Sequence, residues 1–503
     1  SPEPALTLRA LGFGRVQVVA RHSTPATIDM ISATEVANYF QLSAAINTAR
    51  DDGLEKIIMI TQDIEAASQL TIGSGRNITF ASETYNVAIT RGAGLLPNDA
   101  IFIEQGNGTF RVDREEFAGS VYIQRPGTVM GPPPENEGAP GTATNPFRIT
   151  TAEQLSMIGS GTGYYSDWSL NASYVLTADI TAGTWTPIGS VAEPFTGNFD
   201  GVGFTISGLT ITGNNNEQGL FGVIGEGGVV RNLNLTNVNI SGASHVGSLV
   251  GRNYGLVDRV HAAGSVTGSG SVGGIAGINT GGSAVISNSR SDVNVVLTAT
   301  NNAGGIVGAN HSTIRNSFST GNVTNTSTGG WTGGIVGQGA GSSNVINNFS
   351  TGNINSNGNT VGGILGGGAI GATGSVRNNF STGTISGVDN VGGILGNVTS
   401  GTVRDNVALN LGVTGTGANV GRITGTTNGT RINNHARSNM TLTANPARDP
   451  EPNINARDGA DVTLAATQTQ AWWESIGFAF GTSDDAPWQW DTNSLHPRFW
   501  WDN

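Results

Sequence analysis

The chain has 503 residues, no cysteine, 76 glycines, 12% charged residues and a formal net charge of −12. The lack of thiols excludes disulfides and thiolate metal sites, and the acidic balance argues against general nucleic-acid binding. That glycine content does not suit an ordinary enzyme domain and lacks the three-residue period of collagen, and no apolar run is long enough for a membrane-spanning helix.

Residues 1–33 open on an apolar, strand-like stretch from Leu6 to Ala20 that precedes any repeat. A lone strand there has few partners in its own rung stack, so it is expected either to complete a sheet of a second copy or to fold back and pair within its own cap. Residues 34–50 show a helical period with Val36, Phe40, Leu42, Ile46 and Ala49 on one side, placed to cap the open end of a coiled stack. Short β phrases fill the rest of 34–130, which reads as a capped β-helical domain. Residues 131–145, with Pro132, Pro133 and Pro134 in a row, read as an extended linker. A second cap with a short helix follows at residues 145–159.

From there to residue 440 a six-residue phrase recurs, as VGSLVG, VGGIAG, AGGIVG, TGGIVG, VGGILG twice and VGRITG, after a divergent QGLFG. Its closing glycines are Gly222, Gly251, Gly277, Gly308, Gly337, Gly366, Gly396 and Gly425, spaced 29, 26, 31, 29, 29, 30 and 29 residues apart. A near-constant period means stacked units, each a rung that buries its apolar face on its neighbours. Within each period Val, Ile, Leu or Phe alternate with small or polar residues, the pattern of short strands, while Gly, Asn, Ser and Thr clusters supply the corners. The expected fold is all-β: a β-solenoid of parallel strands with short capping helices. Rungs stack at roughly 4.8 Å, so eight make a section on the order of 40 Å long.

A second phrase, read in Ile314–Val323, Val345–Ile354 and Val376–Ile385, places Asn316, Asn347 and Asn378 in one column, in line with Asn288, Asp405 and Asn433. Stacked Asn side chains can bond from rung to rung and satisfy buried amides, so this column reads as a structural ladder. Two residues on, Phe318, Phe349 and Phe380 predict an inward aromatic stack, with His261 and His435 as end-of-stack substitutes. Arg315, Arg377 and Arg404 share another slot, with Arg231 in an earlier unit; such a row could bind sulfated or carboxylated glycans, or simply be a solvated row that discourages sheet-to-sheet aggregation. There is a single lysine, Lys56, against 23 arginines.

Residues 441–503 change character. The last 32 hold Trp472, Trp473, Trp488, Trp490, Trp500 and Trp501, six of the nine tryptophans. They are expected to form a Trp-rich cap that plugs the end of the stack, or else, through Trp488, Trp490, Trp500 and Trp501, to expose a sugar-stacking surface.

The repeats resemble GLUG-motif repeats, named for the phrase that stands here as Gly219-Leu220-Phe221-Gly222. The lead-in is similar as well: NPF-I-T-AEQL, then L-ADI, W-PIG and F-G-FDG-G-TI-GL. So is the Trp-rich ending with its late HPRFWW. The likeness covers residues 145–440 and extends into the tail. It implies a right-handed parallel β-solenoid on secreted or surface-attached bacterial proteins, many adhesin-like. The same repeats precede the catalytic part of immunoglobulin-A-cleaving zinc peptidases. Residues 34–130 more loosely resemble the opening of pectate-lyase-like β-helices.

This chain departs from the peptidases in having no HExxH: its histidines are His22, His245, His261, His311, His435 and His496, none four residues from another. Between Ile206 and Met440 the acids Glu217, Glu226, Asp258, Asp292, Asp389 and Asp405 fall in different rungs, unlike the paired carboxylates of a glycosidase. The expected function is therefore a non-enzymatic extracellular bacterial scaffold, adhesin-like or structural. It would self-assemble head to tail through its N-terminal strand, or bind glycans or proteins of a host or matrix. The alternative is a polysaccharide-binding or polysaccharide-cleaving β-helix. No cofactor is expected, calcium at Asp484 and Asp485 being the one candidate. The start at Ser1-Pro2-Glu3-Pro4 has the look of a mature chain whose leader has been removed, which fits a secreted or cell-surface location.

Overall fold

The computed structural model describes residues 141–144, 146–160 and 167–502, and before them residues 6–11, 15–20, 34–48, 55–61, 64–66, 70–72, 77–82, 89–91, 101–103, 109–112, 123–124 and 128–130. Of the expected linker, 131–145, only residues 141–144 are among them. The chain divides into two compact units, Ser1–Ala139 with Ser160–Asp167, and Pro140–Gly159 with Trp168–Asn503.

In the first unit, Leu6–Leu11 pairs antiparallel with Arg15–Ala20, Leu6 opposite Ala20 and Leu11 opposite Arg15. The N-terminal stretch is thus a hairpin, not a lone strand: the chain reverses and satisfies half of its own backbone groups. The helix is shorter than the period suggested. Val36 ends a strand, Thr34–Val36, and the helix spans Tyr39–Asn47, where the Asn38 side chain accepts from the Gln41 N–H at 3.0 Å. Leu42, Ala45 and Ile46 are buried, whereas Phe40 is 79% exposed and is no part of the packed face. Parallel strands then stack in a five-stranded sheet in the order Thr128–Met130, Thr109–Val112, Asn77–Ser82, Glu55–Ile60, Thr34–Val36, with a three-stranded and a two-stranded parallel sheet beside it.

The second unit starts with strand Phe147–Ile149 and helix Ala152–Ser156. Thr151 and Gln154 form a reciprocal capping box, and Leu155 turns into the core. Behind it runs a β-solenoid of about 11 turns. Its longest sheet has 26 strands, flanked by sheets of eight and six. One column of Cα partners, Val230, Val257, Ile286, Ile314, Val345, Val376 and Val403, is fully buried along its length. The glycine phrase contributes a second such column through Leu249, Ile275, Ile306, Ile335, Ile364, Ile394 and Ile423. Each side chain adds about 1.5–3 kcal/mol relative to exposure.

The glycines allow rungs to touch through bare backbone. A Cβ at Gly334 would lie 2.2 Å from the Gly363 carbonyl oxygen, and one on Gly366 would lie 2.5 Å from that of Gly337. Any side chain would force the rungs apart.

Two columns of side chains stitch the corners. Asn288, Asn316, Asn347, Asn378, Asp405 and Asn433 all adopt the left-handed conformation, with φ between 48° and 55°, which Asn and Asp tolerate best among non-glycine residues. Asn347 Nδ2 donates to Asn316 Oδ1 at 3.2 Å and Asn433 Nδ2 to Asp405 Oδ1 at 2.8 Å. The deeper ladder lies one residue further on. Asn348, Asn379 and Asn406 each donate both backbone N–H and Nδ2 to the Oδ1 of the next rung's Asn, over 2.8–3.2 Å. Asn379, Asn406 and Asn434 also donate Nδ2 at 2.9 Å to the carbonyls of Val345, Val376 and Val403. These buried amides are fully used for cohesion.

The end of the stack is closed by residues 453–462. Strand Ala460–Val462 adds to His435–Arg437, and Ile423 and Thr424 donate their N–H groups to the Arg457 carbonyl. Arg422, 1% exposed, donates from its backbone N–H to Asp458 Oδ1 at 3.1 Å and from Nη1 to Asp461 at 2.6 Å. Arg448 Nη2 pairs with the same Asp458 carboxylate. Burial works to raise the Asp458 pKa, but bonds from Arg448 and from the Glu451 and Arg422 N–H groups, with the Arg448 charge, outweigh it and hold the carboxyl below its ordinary value.

Candidate ligand-binding face

The Phe column does not point inward. In each two-residue strand, Phe318–Ser319, Phe349–Ser350 and Phe380–Ser381, neighbouring side chains take opposite faces. The serine faces the interior, where a Cβ on Gly305, Gly334 or Gly363 would meet its hydroxyl within 2.6 Å. The ring therefore faces out. The three rings stack nearly parallel, with centroids 4.5 and 4.8 Å apart.

They are nonetheless buried, because the C-terminal segment folds back over them. Trp473 and Trp488 lie 5.2 and 5.7 Å from Phe380, Phe499 lies 5.5 Å from Phe349, and Trp501 lies 5.7 Å from Phe318. The hairpin of Trp488–Asp491 with His496–Phe499 forms the centre of this cover. Corner residues anchor it: Asn378 donates to the Gly477 carbonyl at 2.9 Å, Asn316 to that of Asp484 at 3.0 Å, and Arg315 to the Asp484 carboxylate at 3.2 Å. The Trp-rich segment is thus a strap along the side of the solenoid and not a plug at its end. Trp488, fully buried, is excluded from any binding surface, while Trp490, Trp500 and Trp501 remain half-buried. Asp484, the acid considered for calcium, accepts from Asn288 and Arg315.

The arginine slot is a real column but an interrupted one: Asp200, Arg231, Asp258, Ser287, Arg315, Ile346, Arg377, Arg404 and Ile432 are successive partners. Arg231 pairs with Asp200, Arg315 with Asp484 and Arg404 with Asp405. Arg377 donates to Asn378 Oδ1 at 3.4 Å. An interrupted, largely neutralised column offers a polyanion little net charge.

Beyond Phe318 the outward column continues through Arg290, His261 and Asn234, one per rung. Here the strap ends, leaving a cleft of about 280 Å³ lined by Asn234, Arg259, Val260, His261, Asn288, Arg290, Trp501 and Asp502. Asp292 organises it, accepting from His261 Nε2 at 2.9 Å, Arg290 Nε at 2.9 Å and the Thr320 hydroxyl at 2.5 Å. Burial favours its neutral form, but these bonds and the Arg290 charge win and keep the carboxyl ionised well below the usual range. Arg290 sits 5.3 Å over the Phe318 ring and Arg259 5.8 Å over that of Trp500. The lining supplies donors, acceptors and an indole, with no hydroxyl or thiol nucleophile. In sequence the trace of this site is that His261, and RSDV at Arg290–Val293, stand in the slot where later rungs carry Phe-Ser-Thr-Gly, which alone does not say that the residues meet Asn234 and Asp502.

A second cleft, of about 410 Å³, lies between helix Ala152–Ser156 and Thr184–Gly189, with Glu153 as its charged residue. Among the described residues no three His, Asp or Glu side chains form a metal-binding group, and no helix is long and apolar enough to cross a membrane.

No family model matches the chain. It is 43% identical over 131 residues to a protein provisionally described as a Gly-rich membrane protein of Evansella cellulosilytica, a match to 24% of this chain and 15% of that protein. It is 28% identical over 285 residues to halomucin of Haloquadratum walsbyi, covering 52% of this chain and 3% of that protein. The matched stretch is thus a small part of either relative. A crystal structure from Bacteroides ovatus, provisionally described as an immunoglobulin A1 protease, aligns with 72% of this chain and 94% of its own at a TM-score of 0.39 and 19% identity. A likeness of that degree carries no functional inference.

Proposed function

We propose that this chain is an extracellular structural scaffold without catalytic activity, part of a cell-surface or matrix protein, whose solenoid bears the GLUG-type repeat it resembles. The observation that carries the reading is the use made of the repeated residues. Glycine, asparagine, serine and the aliphatic columns are spent on rung-to-rung contact, and Glu217, Asp258, Asp292, Asp389 and Asp405 are each held by arginine, histidine, asparagine or backbone partners. The names of the two sequence relatives, a membrane protein and a mucin, support a surface setting. Negative-stain images of the purified protein should show its solenoid as an elongated body, and the same preparation should release no unsaturated or reducing ends from pectin or alginate. Turnover lost on replacing a single Asp would overturn the proposal.

Self-assembly through the N-terminus is supported by the hairpin Leu6–Leu11/Arg15–Ala20, which forms a two-stranded sheet with no third strand among the described residues. An isolated two-stranded hairpin is marginal in water, and its outer edges are open to strand addition. Deleting residues 1–20 should convert any higher assemblies to monomers while the solenoid stays folded. Identical monomeric sedimentation of both forms would exclude the role.

A further inference from the structure

We propose that the cleft beside Trp501 is a binding subsite for a neutral, hydroxyl-rich, extended oligosaccharide that lies along the outward column Arg290–His261–Asn234. Three observations converge on it.

The first is unspent bonding capacity. Asp292 holds His261 by Nε2, leaving Nδ1. Arg259 uses Nη1 on Asp258, leaving Nη2 and Nε, and Asn234 uses its amide on the Gly203 carbonyl, leaving Oδ1. Asp502 meets Arg290 through Oδ1, leaving Oδ2. Among the described residues these remaining atoms have no hydrogen-bond partner. A mixed set of donors and acceptors on side chains that neighbours already hold suits vicinal hydroxyls, which both give and take hydrogen bonds.

The second is charge. The guanidinium groups of Arg259 and Arg290 face the carboxylates of Asp258, Asp292 and Asp502. No net positive charge is left to draw a sulfated or carboxylated chain, so the ligand is neutral.

The third is spacing. Asn234, His261 and Arg290 are Cα partners in successive parallel strands, and therefore repeat at roughly 4.8 Å. That rise is close to one pyranose unit of an extended β-linked chain, so a linear glycan parallel to the rod meets an equivalent side chain at each sugar. The half-buried Trp501, stacked on Phe499 at 5.4 Å, bounds the track with an indole.

The test is saturation-transfer NMR and calorimetric titration of the intact protein with cellohexaose, chitohexaose, mannohexaose, maltohexaose and heparin hexasaccharide. At least one β-linked neutral hexamer should bind, and Asn234→Ala and His261→Ala should each weaken it about tenfold, the equivalent of one lost hydrogen bond to a held partner. Trp501→Ala should weaken it at least as much. The two surface substitutions leave the strap untouched, so thermal unfolding should stay at the wild-type temperature. The proposal is overturned if no β-linked neutral hexamer binds, if binding is indifferent to both substitutions, or if heparin alone binds and they abolish it.

Discussion

Phe349→Ala should destabilise the solenoid by about 3–5 kcal/mol, the range for emptying a phenylalanine-sized buried site. The ring is held between Phe318 at 4.5 Å and Phe380 at 4.8 Å, with Phe499 and Trp488 above it at 5.5 and 6.2 Å. Four aromatic partners lose contact at once, and neighbours fixed to backbone on two sides cannot collapse into the gap. The loss should be local in origin. Hydrogen exchange should rise first in residues 463–502, which depend on the Phe column, and only later in the Asn348–Asn434 ladder. Denaturant unfolding with exchange mass spectrometry measures both. A cost under about 1 kcal/mol would mean that the strap does not cover this ring.

Asp458→Ala should cost about 3–5 kcal/mol, because it leaves the partly buried Arg448 guanidinium and the backbone N–H groups of Arg422 and Glu451 without their acceptor. Arg422 would keep its burial and its bond to Asp461 but lose the carboxylate that receives its N–H, and Arg448 would lose its partner. Replacing Arg448 and Asp458 together with aliphatic residues should recover part of the loss, because it removes both charges of the pair. The same site predicts an acid limb. Its carboxyl titrates below its unfolded value, so its stabilisation is fully present above the ordinary carboxylate range, near pH 3.9, and is lost as pH falls through the lower, folded value. Urea midpoints measured downward from pH 7 should fall more steeply for the wild type than for Asp458→Asn. Parallel profiles would remove Asp458 as the source.

The architecture was legible in the sequence because the glycine phrase and the aliphatic alternation are local and repeat. Direction and cover were not. Phe318 and Ser319 alternate, and the usual expectation puts the ring inside. The interior slot there faces Gly305, which leaves room for a serine hydroxyl and nothing larger, so the ring goes out and must be covered by a segment distant in sequence. The Asn column does bond from rung to rung as its spacing predicts, but the deeper ladder beside it was not visible. Asn347 and Asn348 are both ladder-forming, and composition cannot say that the first turns the corner with a positive φ while the second carries the buried network. Nor could a cluster of tryptophans reveal whether it sits on the end of a stack or along its side. The cleft was harder still to see, since Asn234, His261, Arg290 and Asp502 are separated by as many as 268 residues.

The strap also sets where this rod can change length. Its anchors at Asn378, Asn316, Arg315 and Arg290 count rungs: Gly477, Asp484 and Asp502 reach them only at the present spacing. Duplicating or deleting a unit between Arg290 and the closing segment would carry the aromatic cover out of step with the rings beneath it. A unit added before Arg259 meets no such constraint, because there each rung answers only to its two neighbours. Growth by repeat duplication is therefore free toward the N-terminal side and barred under the strap, so that solenoids of different length could share one unchanged C-terminal part.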